Sequence, residues 1–353
     1  MGKFESGIHM AADRAWAKAN KVYPEPTWRE QTISAADLQK KTFPPIKYVV
    51  KGLLPEGLGM LAGRPKIGKS WAALDIGSAV ASADGTCLGG LEVEHGDVLY
   101  CALEDSHRRL QSRLTKLLGV FKDEWPRRLQ LTTSWRRLDK GGVSDIAEWV
   151  RSVPDPRLVI LDTLASVKPL RTTEGYQQDY QSLEQLHRLA NDIGIAILVL
   201  HHQRKSDAED PLDTISGTLG LAGCVDTPLI LSGTSQGMSL YVRGRDIEEA
   251  EHAIVFDKAT ARWSIKGDAA LVRVGDTRKK ILEALETAKE KAAKQKSKDP
   301  KSKHSDPEAA AALSPQEVGA IAGLNDELTR QTLARMAADG LIEKVGRGQY
   351  RAK

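Results

Sequence analysis

Apolar and polar residues alternate along the chain in a pattern that predicts a parallel sheet covered by helices. Segments with helical periodicity separate four apolar runs, which lie at residues 58–62, 96–103, 157–161 and 195–200. Short apolar runs are typical of buried strands, and their alternation with helices is typical of a parallel sheet. Shorter, partly alternating runs at residues 227–231, 240–245 and 253–265 predict hairpins that close one edge. We therefore predict an α/β core with a mainly parallel sheet over residues 46–270.

The two ends of the chain differ from this core. Residues 1–45 include four prolines that interrupt any regular pattern, and we assign no chemistry to them. Residues 276–312 begin with a predicted helix, Arg278 to Ala292, and continue as a lysine-rich segment without apolar periodicity, which is typical of a flexible linker. In residues 313–353 a capping box at Ser314 starts the first of two predicted helices, and a tight β-hairpin follows. This order predicts a winged-helix-like domain.

A phosphate-binding loop follows the first apolar run. The sequence fits G-x-x-x-x-G-K-[ST] without a mismatch. The predicted nucleotide-binding residues are Gly63, Arg64, Pro65, Lys66, Ile67, Gly68, Lys69, Ser70 and Trp71. The two glycines allow backbone N–H groups to turn toward phosphate oxygens at the start of the next helix. Because Lys69 adds a positive charge and the Ser70 hydroxyl can ligate Mg²⁺, the loop predicts a site for a nucleoside triphosphate with Mg²⁺.

Two acidic residues follow apolar runs at the predicted carboxyl edge of the sheet. Asp162 closes the run at residues 157–161, where a carboxylate can hold Mg²⁺; the alternative is an aspartate that only caps a turn. Glu104 ends the strand after the phosphate-loop helix and is a candidate base or water-orienting group. The neighbouring Asp105 is an alternative for this role, and a solvated acidic turn is the structural alternative.

Histidines and arginines supply the remaining candidates. His201 and His202 end the apolar run at residues 195–200, where one of them can report the γ-phosphate; a metal pair or a polar cap are the alternatives. Arg243 and Arg245 lie two residues apart on a predicted strand, so both side chains are expected on one face. They are either a charged edge or a pair that reaches a neighbouring subunit's γ-phosphate.

Together these residues resemble the RepA-type replicative helicases of plasmids and mobile elements, a branch of the RecA-like hexameric ATPases. The resemblance covers about residues 46–265. It is carried by the phosphate loop, the Glu104-Asp105-Ser106 turn, the strand ending at Asp162 and the run His201-His202-Gln203-Arg204-Lys205. It implies a RecA-like core that forms a hexameric ring, with ATP and Mg²⁺ between subunits and single-stranded DNA in the centre.

The resemblance also implies roles for individual residues. Glu104 would be the catalytic carboxylate, Asp162 the Mg²⁺ ligand, and His202 or His201 the γ-phosphate sensor. The family's prototype has an arginine where this chain has Thr214-Ile215-Ser216. We therefore expect the arginine that acts on the neighbour at Arg243 or Arg245.

Basic residues near the predicted centre and in the last domain are candidate nucleic-acid contacts. Lys168, Arg171, Arg204 and Lys205 can track phosphates, with Tyr176 and Tyr180 as candidates for base stacking, although solvated loops explain the same composition. In the winged-helix-like domain, Thr329, Arg330 and Gln331 near the start of the second helix and Arg347 in the wing are candidates for contact with duplex DNA; a replication protein is the alternative partner.

The resulting hypothesis is an ATP-dependent, ring-forming DNA helicase that replicates a plasmid, phage or integrated element. A non-translocating, ATP-switched DNA-binding regulator and a helicase loader are the alternatives. The net charge of +4 adds little, and the three cysteines form no CxxC pair, which is typical of a reducing compartment. The longest apolar run is too short to span a bilayer, and no leader pattern is present, so the expected location is the cytoplasm.

Overall fold

The computed structural model describes residues 8, 10–13, 17, 28–83, 85–119, 124–169, 175–203, 210–215, 223–234, 237–298, 311–346 and 348–352. The chain divides into two compact units, Met1–Gly267 and Asp268–Lys353. Among the helices of these residues, none is both long enough and apolar enough to cross a bilayer.

The first unit is built on a mixed sheet with a parallel centre. Its elements begin with α1 (Trp28–Gln31), α2 (Ala35–Gln39), β1 (Tyr48–Val50), β2 (Leu54–Pro55), β3 (Gly57–Gly63), α3 (Lys69–Val80), β4 (Thr86–Cys87), β5 (Leu91–Glu92), β6 (Asp97–Ala102) and α4 (His107–Leu118). They continue with β7 (Leu129–Thr132), α5 (Gly142–Ser152), β8 (Pro156–Asp162), α6 (Leu164–Val167), α7 (Gly175–Ile193), β9 (Ala196–His202), β10 (Thr227–Thr234), β11 (Gly237–Val242), β12 (Ala250–Asp257) and β13 (Arg262–Asp268).

Nine of these strands form one sheet in the order β13-β12-β11-β10-β3-β9-β8-β6-β7. Six neighbouring strands run parallel: β10, β3, β9, β8, β6 and β7. Strands β11 and β12 extend the sheet beyond β10 as antiparallel strands, in agreement with the predicted hairpins at one edge. The central parallel strands end in register, with Gly63 beside His202 and Ala102 beside Asp162. This common carboxyl edge is where ligands bind in such sheets.

Helices cover both faces of the sheet, and the alternation of side chains along each strand assigns every residue to one face. Leu61, Ile160 and Leu200 pack with helices α3 and α4 on one face. Met60, Leu161 and Val199 pack with α5 and α7 on the other face. Gly63, Asp162 and His202 each lie two residues beyond a member of the first set, so they share the face that α3 covers.

The second unit has a small apolar core of its own. It consists of α8 (Ala269–Lys298), α9 (Pro315–Ala322), α10 (Asp326–Ala338), β14 (Ile342–Gly346) and β15 (Gln349–Ala352). The predicted capping box at Ser314 is present: its hydroxyl accepts the Glu317 N–H, and the Glu317 carboxylate accepts the Ser314 N–H. Backbone hydrogen bonds pair Leu313 with Tyr350, which adds a bridge beside the hairpin.

Several sequence predictions differ from the structure. The helix predicted for Arg278 to Ala292 extends over Ala269–Lys298, and its Ile281 and Leu285 pack into the core of the second unit rather than belonging only to a linker. Strand β7 and helix α5 were not predicted, although Val143, Ile146 and Val150 of α5 recur at helical spacing and are buried. The rest of the predicted linker, residues 299–310, lies outside the described residues.

Ile160 provides a test of the packing between the sheet and α3. Its side chain is fully buried in β8, and its Cδ1 atom lies 3.2 Å from where a Cβ on Gly77 of α3 would stand. We expect Ile160→Ala to lower the free energy of unfolding by about 2–5 kcal/mol, measured by urea unfolding followed by circular dichroism. Val255 on β12 is 52% exposed, so Val255→Ala should stay within about 0.5 kcal/mol of wild type. Equal losses in the two variants would contradict this packing.

Candidate functional site

The phosphate loop turns tightly at the carboxyl end of β3. Each of its two glycines is required for a different steric reason. A Cβ on Gly63 would stand 2.8 Å from the Leu231 carbonyl oxygen of the adjacent strand. Gly68 has φ +107°, and a Cβ there would meet the Trp263 ring at 2.9 Å. Any side chain at either position would displace backbone or a packed ring, so the loop requires glycine at both.

Lys69 begins α3 with its ammonium folded back over the loop. Its Nζ donates to the Gly63 carbonyl at 2.8 Å and to the Arg64 carbonyl at 3.1 Å. Burial lowers the pKa of Lys69, while the nearby Asp162 and Glu104 carboxylates act in the opposite direction. A largely buried ammonium held by neutral carbonyls is a strong potential partner for phosphate oxygens.

Asp162 lies at the end of β8 beside the start of α3. Burial raises the pKa of Asp162, and hydrogen bonds from Ser70 and Tyr100 act against that rise. The Tyr100 hydroxyl donates to Asp162 Oδ2 at 2.8 Å. The structure therefore brings together the serine hydroxyl and the carboxylate that were predicted as Mg²⁺ ligands, and the tyrosine orients the carboxylate.

This donor set fits Mg²⁺ bound together with a nucleotide. Within the part of the chain that the structure describes, no group of three His, Cys, Asp or Glu side chains is arranged to hold a metal ion. Mg²⁺ usually binds through one or two protein oxygens, substrate phosphates and waters rather than through a cage made only of protein. Ser70 and Asp162 supply such a partial set.

Glu104 and Asp105 follow β6 at the same edge but have different surroundings. The Glu104 carboxylate accepts a hydrogen bond of 2.8 Å from the hydroxyl of Thr163, the residue that follows Asp162. The Asp105 carboxylate instead pairs with Arg109 at 2.6 Å and with Arg113 at 2.7 Å. Because Asp105 is committed to two guanidinium groups, Glu104 is the better placed of the two for a reacting water.

The two histidines at the end of β9 face opposite sides of the sheet. His202 pairs with Gly63 and lies on the face covered by α3, whereas His201 continues the face that includes Val199. Among the described residues, none lies within hydrogen-bonding distance of the buried Nδ1 atom of His202. His202 therefore lies on the phosphate-loop side of the sheet.

Arg243 and Arg245 do not lie on a strand, contrary to the prediction. Strand β11 ends at Val242, and the two arginines follow in a loop whose N–H groups donate to Pro228 O and Asp226 O. This loop lies beside the amino ends of β3 and β10, and the phosphate loop is at the opposite end of β3. Five residues of strand, about 17 Å, separate Leu58 from Gly63. Both guanidinium groups thus lie far from the chain's own phosphate loop.

The candidate nucleic-acid residues are only partly described. Lys168 follows α6, and its carbonyl oxygen accepts a hydrogen bond from Arg137. Arg330 is exposed on α10, whereas Thr329 is fully buried and its hydroxyl donates to Asn325 O, so Thr329 cannot face DNA. Arg171, Arg204, Lys205 and Arg347 lie outside the described residues.

Three site residues were missed by the sequence analysis. Tyr100 is hidden within an apolar strand, although a tyrosine in the middle of such a run is a signal for a buried hydrogen bond. Trp263 donates from Nε1 to Gly68 O at 3.1 Å, from a strand distant in sequence. The Arg113 guanidinium lies 5.4 Å from the centre of the Trp71 ring, beside the start of α3.

Comparisons with known proteins agree with this architecture. A family model described as an AAA domain matches residues 23–208. Among solved structures, an isolated ATPase domain is 14% identical with a TM-score of 0.50, covering 68% of this chain and 99% of that one. A DnaB-like replicative helicase, whose structure is described with its interactions with primase, is 14% identical with a TM-score of 0.50, covering 74% and 76%.

The search of curated protein sequences found no match. At 14% identity the structural likeness shows the fold alone. The core therefore has the RecA-like P-loop ATPase fold, which confirms the predicted fold class for the first unit. The winged-helix assignment of the second unit stays a prediction.

Tyr100→Phe tests how Asp162 is oriented. Loss of the hydroxyl removes a hydrogen bond to the candidate Mg²⁺ ligand, so half-maximal ATP hydrolysis should need about 10-fold more Mg²⁺. At saturating Mg²⁺ the rate should recover to within about 3-fold of wild type. Thr115→Val is the control, because it removes a hydroxyl that donates to Gln111 O at 2.9 Å on the exposed surface of α4. An unchanged Mg²⁺ dependence in Tyr100→Phe would contradict the assignment.

Proposed function

Because the chain belongs to the AAA-domain family, we propose that it is an ATP-hydrolysing, ring-forming DNA helicase for replication of a plasmid, phage or integrated element. One observation carries this proposal. The phosphate loop and its carboxylates lie at one edge of the sheet, and two candidate arginines lie at the opposite edge. A chain of this kind can supply the two halves of a nucleotide site to two different neighbours, as a closed ring requires.

The proposed chemistry assigns one task to each group at the carboxyl edge. Lys69 binds the β- and γ-phosphates, and Ser70 and Asp162 hold Mg²⁺, which when bound offsets phosphate charge. Glu104, fixed by the Thr163 hydroxyl, orients the attacking water and accepts its proton. His202 is the preferred γ-phosphate sensor over His201, because it lies on the phosphate-loop side.

The arginines complete the site from the next subunit. Arg243 and Arg245 cannot reach the phosphates bound by their own chain, so any contact with a γ-phosphate must be to a neighbour's nucleotide. A guanidinium supplied in this way stabilises charge that develops in the transition state. We propose a homo-hexamer, in which each of the six interfaces between neighbouring subunits forms one such site.

The proposed DNA contacts face the centre of that ring. Lys168, Arg171, Arg204 and Lys205 are the candidates for binding single-stranded DNA, since basic side chains track the phosphate backbone. The second unit is proposed to be a winged-helix-like domain in which the exposed Arg330, together with Arg347, contacts duplex DNA or a replication protein. The replicative helicase among the structural neighbours supports this setting.

Glu104→Gln separates hydrolysis from binding. The amide still accepts the Thr163 hydroxyl but cannot take a proton, so kcat should fall about 100-fold or more while the Kd for ATP stays within about 3-fold. Unwinding of a forked duplex should be lost in parallel. Glu92→Gln is the control, because Glu92 forms an exposed surface pair with Lys51 and should leave the rate unchanged.

The same assays distinguish the alternatives. A slow ATPase with no unwinding, and with DNA affinity insensitive to Glu104→Gln, would favour the non-translocating regulator. A protein that unwinds nothing but binds a replicative helicase would favour the loader. Hydrolysis that DNA does not stimulate, together with no fork unwinding, would overturn the helicase proposal.

Mixing two inactive variants tests the shared site. Lys69→Ala damages the half with the phosphate loop, and Arg243→Ala/Arg245→Ala damages the other half, so each alone should lose about 100-fold or more in kcat. In rings mixed one to one, about one quarter of the interfaces combine two intact halves, and activity should recover toward that fraction. Lys69→Ala mixed with Asp162→Asn is the control, because both lesions fall on one half. Recovery in neither mixture would exclude a site shared between subunits.

A further inference from the structure

A buried carboxylate anchors the loop that carries Arg245. Asp226 precedes β10, and its N–H donates to Leu58 O at 2.8 Å. In return, the Leu58 N–H donates to Asp226 Oδ2 at 3.0 Å. The approach is close, because a Cβ on Gly57 would stand 2.8 Å from Oδ2. Asp226 is therefore fixed to β3, the strand that carries the phosphate loop at its other end.

Arg245 is attached to Asp226 at two points. Its backbone N–H donates to Asp226 O at 3.1 Å, and its Nη1 donates to Asp226 Oδ1 at 3.3 Å. The Asp226 side chain is 11% exposed and the Arg245 side chain is 62% exposed. The guanidinium is thus held at one nitrogen while most of the side chain faces solvent. Since a guanidinium has five N–H donors, the others remain able to bind phosphate oxygens.

A histidine shares the same carboxylate oxygen. His187 Nε2 lies 2.9 Å from Asp226 Oδ1, and Asn191 Nδ2 lies 3.0 Å from that ring nitrogen. The Leu58 N–H donates to Oδ2 and the Arg245 guanidinium donates to Oδ1, and His187 adds a donor to Oδ1 in its Nε2–H tautomer, so the carboxylate has a fixed orientation. It cannot follow the guanidinium if Arg245 moves away.

Arg243 hydrogen-bonds with the side chain of Tyr241 but, among the described residues, pairs with no buried carboxylate. Its guanidinium lies 3.5 Å from Asp210 Oδ2 and 3.9 Å from Glu249 Oε2, and the side chains of both partners are 42% or more exposed. Exposed pairs at such distances order a side chain weakly. The two candidate arginines therefore differ in the burial of their carboxylate partners, and the buried carboxylate of Asp226 pairs with Arg245.

We propose that Asp226 is a positioning residue that holds the Arg245 guanidinium ready for the nucleotide of the neighbouring subunit. The inference rests on the proposed function, in which Arg245 acts on that nucleotide. Asp226 restricts a long, flexible side chain before the subunits meet, so less conformational freedom is lost when it contacts the phosphate. Asp226 itself touches neither nucleotide nor water in this scheme.

A double-mutant cycle on kcat tests this role. Asp226→Asn should lower kcat about 10-fold, with the Kd for ATP unchanged, and Arg245→Ala should lower kcat about 100-fold. If Asp226 acts only through Arg245, the double variant should be no slower than Arg245→Ala. Asp97→Asn is a matched control, because Asp97 makes the same two hydrogen bonds with another strand partner, away from both arginines. Its N–H donates to Asp155 O at 2.6 Å, and its Oδ2 accepts the Asp155 N–H at 2.8 Å. It should leave kcat within about 2-fold of wild type.

Mixed rings show whether the Asp226→Asn chain is folded. Its own phosphate loop is intact, so mixing with Lys69→Ala, which keeps an intact Arg245, should restore activity above that of either variant. Losses that multiply in the double variant, no recovery in the mixture, or a kcat that rises in Asp226→Asn would each overturn the positioning role. Wild-type activity in Arg245→Ala would also overturn the positioning role, because it excludes Arg245 from the site, whereas the shared site itself is tested by mixing Lys69→Ala with Arg243→Ala/Arg245→Ala.

Discussion

The close packing of β3 between β9 and β10 is the constraint on which the site depends. The strand is buried along its whole length, and the phosphate loop leaves its end where Leu231 O, Lys69 and Trp263 leave no room for side chains on Gly63 and Gly68. Backbone N–H groups at this turn are fixed by packing rather than by the ligand. A loop shaped in advance in this way binds phosphate without first having to be ordered.

The same burial places charged groups where they are least stable. Burial shifts the pKa of Lys69 downward and that of Asp162 upward, which means that each charged form is disfavoured by its surroundings. The chain offsets this cost with short polar contacts from Tyr100 and from the loop carbonyls. In the proposed function, bound phosphate and Mg²⁺ would place opposite charges beside Lys69 and Asp162, so the electrostatic cost of the unliganded site would favour binding.

Local patterns predicted the groups that follow strands, because an apolar run fixes both the strand and the edge at which it ends. Gly63–Ser70, Glu104, Asp162 and His202 were all placed at one edge in this way. Sequence spacing could not place Arg243 and Arg245 correctly, since the end of β11 depends on its pairing with β10. Contacts between residues distant in sequence, such as Trp263 with Gly68 and Asp226 with Leu58, leave no local signal.

Strand β3 connects the phosphate loop at one end with Asp226, and through it Arg245, at the other end. One end carries the loop that would bind a chain's own nucleotide, and the other is hydrogen-bonded to the residue that holds Arg245. Parallel pairing with β9 and β10 makes this strand stiff along its length. In the proposed ring, displacement of β3 on binding a nucleotide would therefore also move Arg245 relative to the next subunit. In that ring, two neighbouring nucleotide sites would be coupled through β3 only if the strand had two arrangements that ATP binds with different affinities.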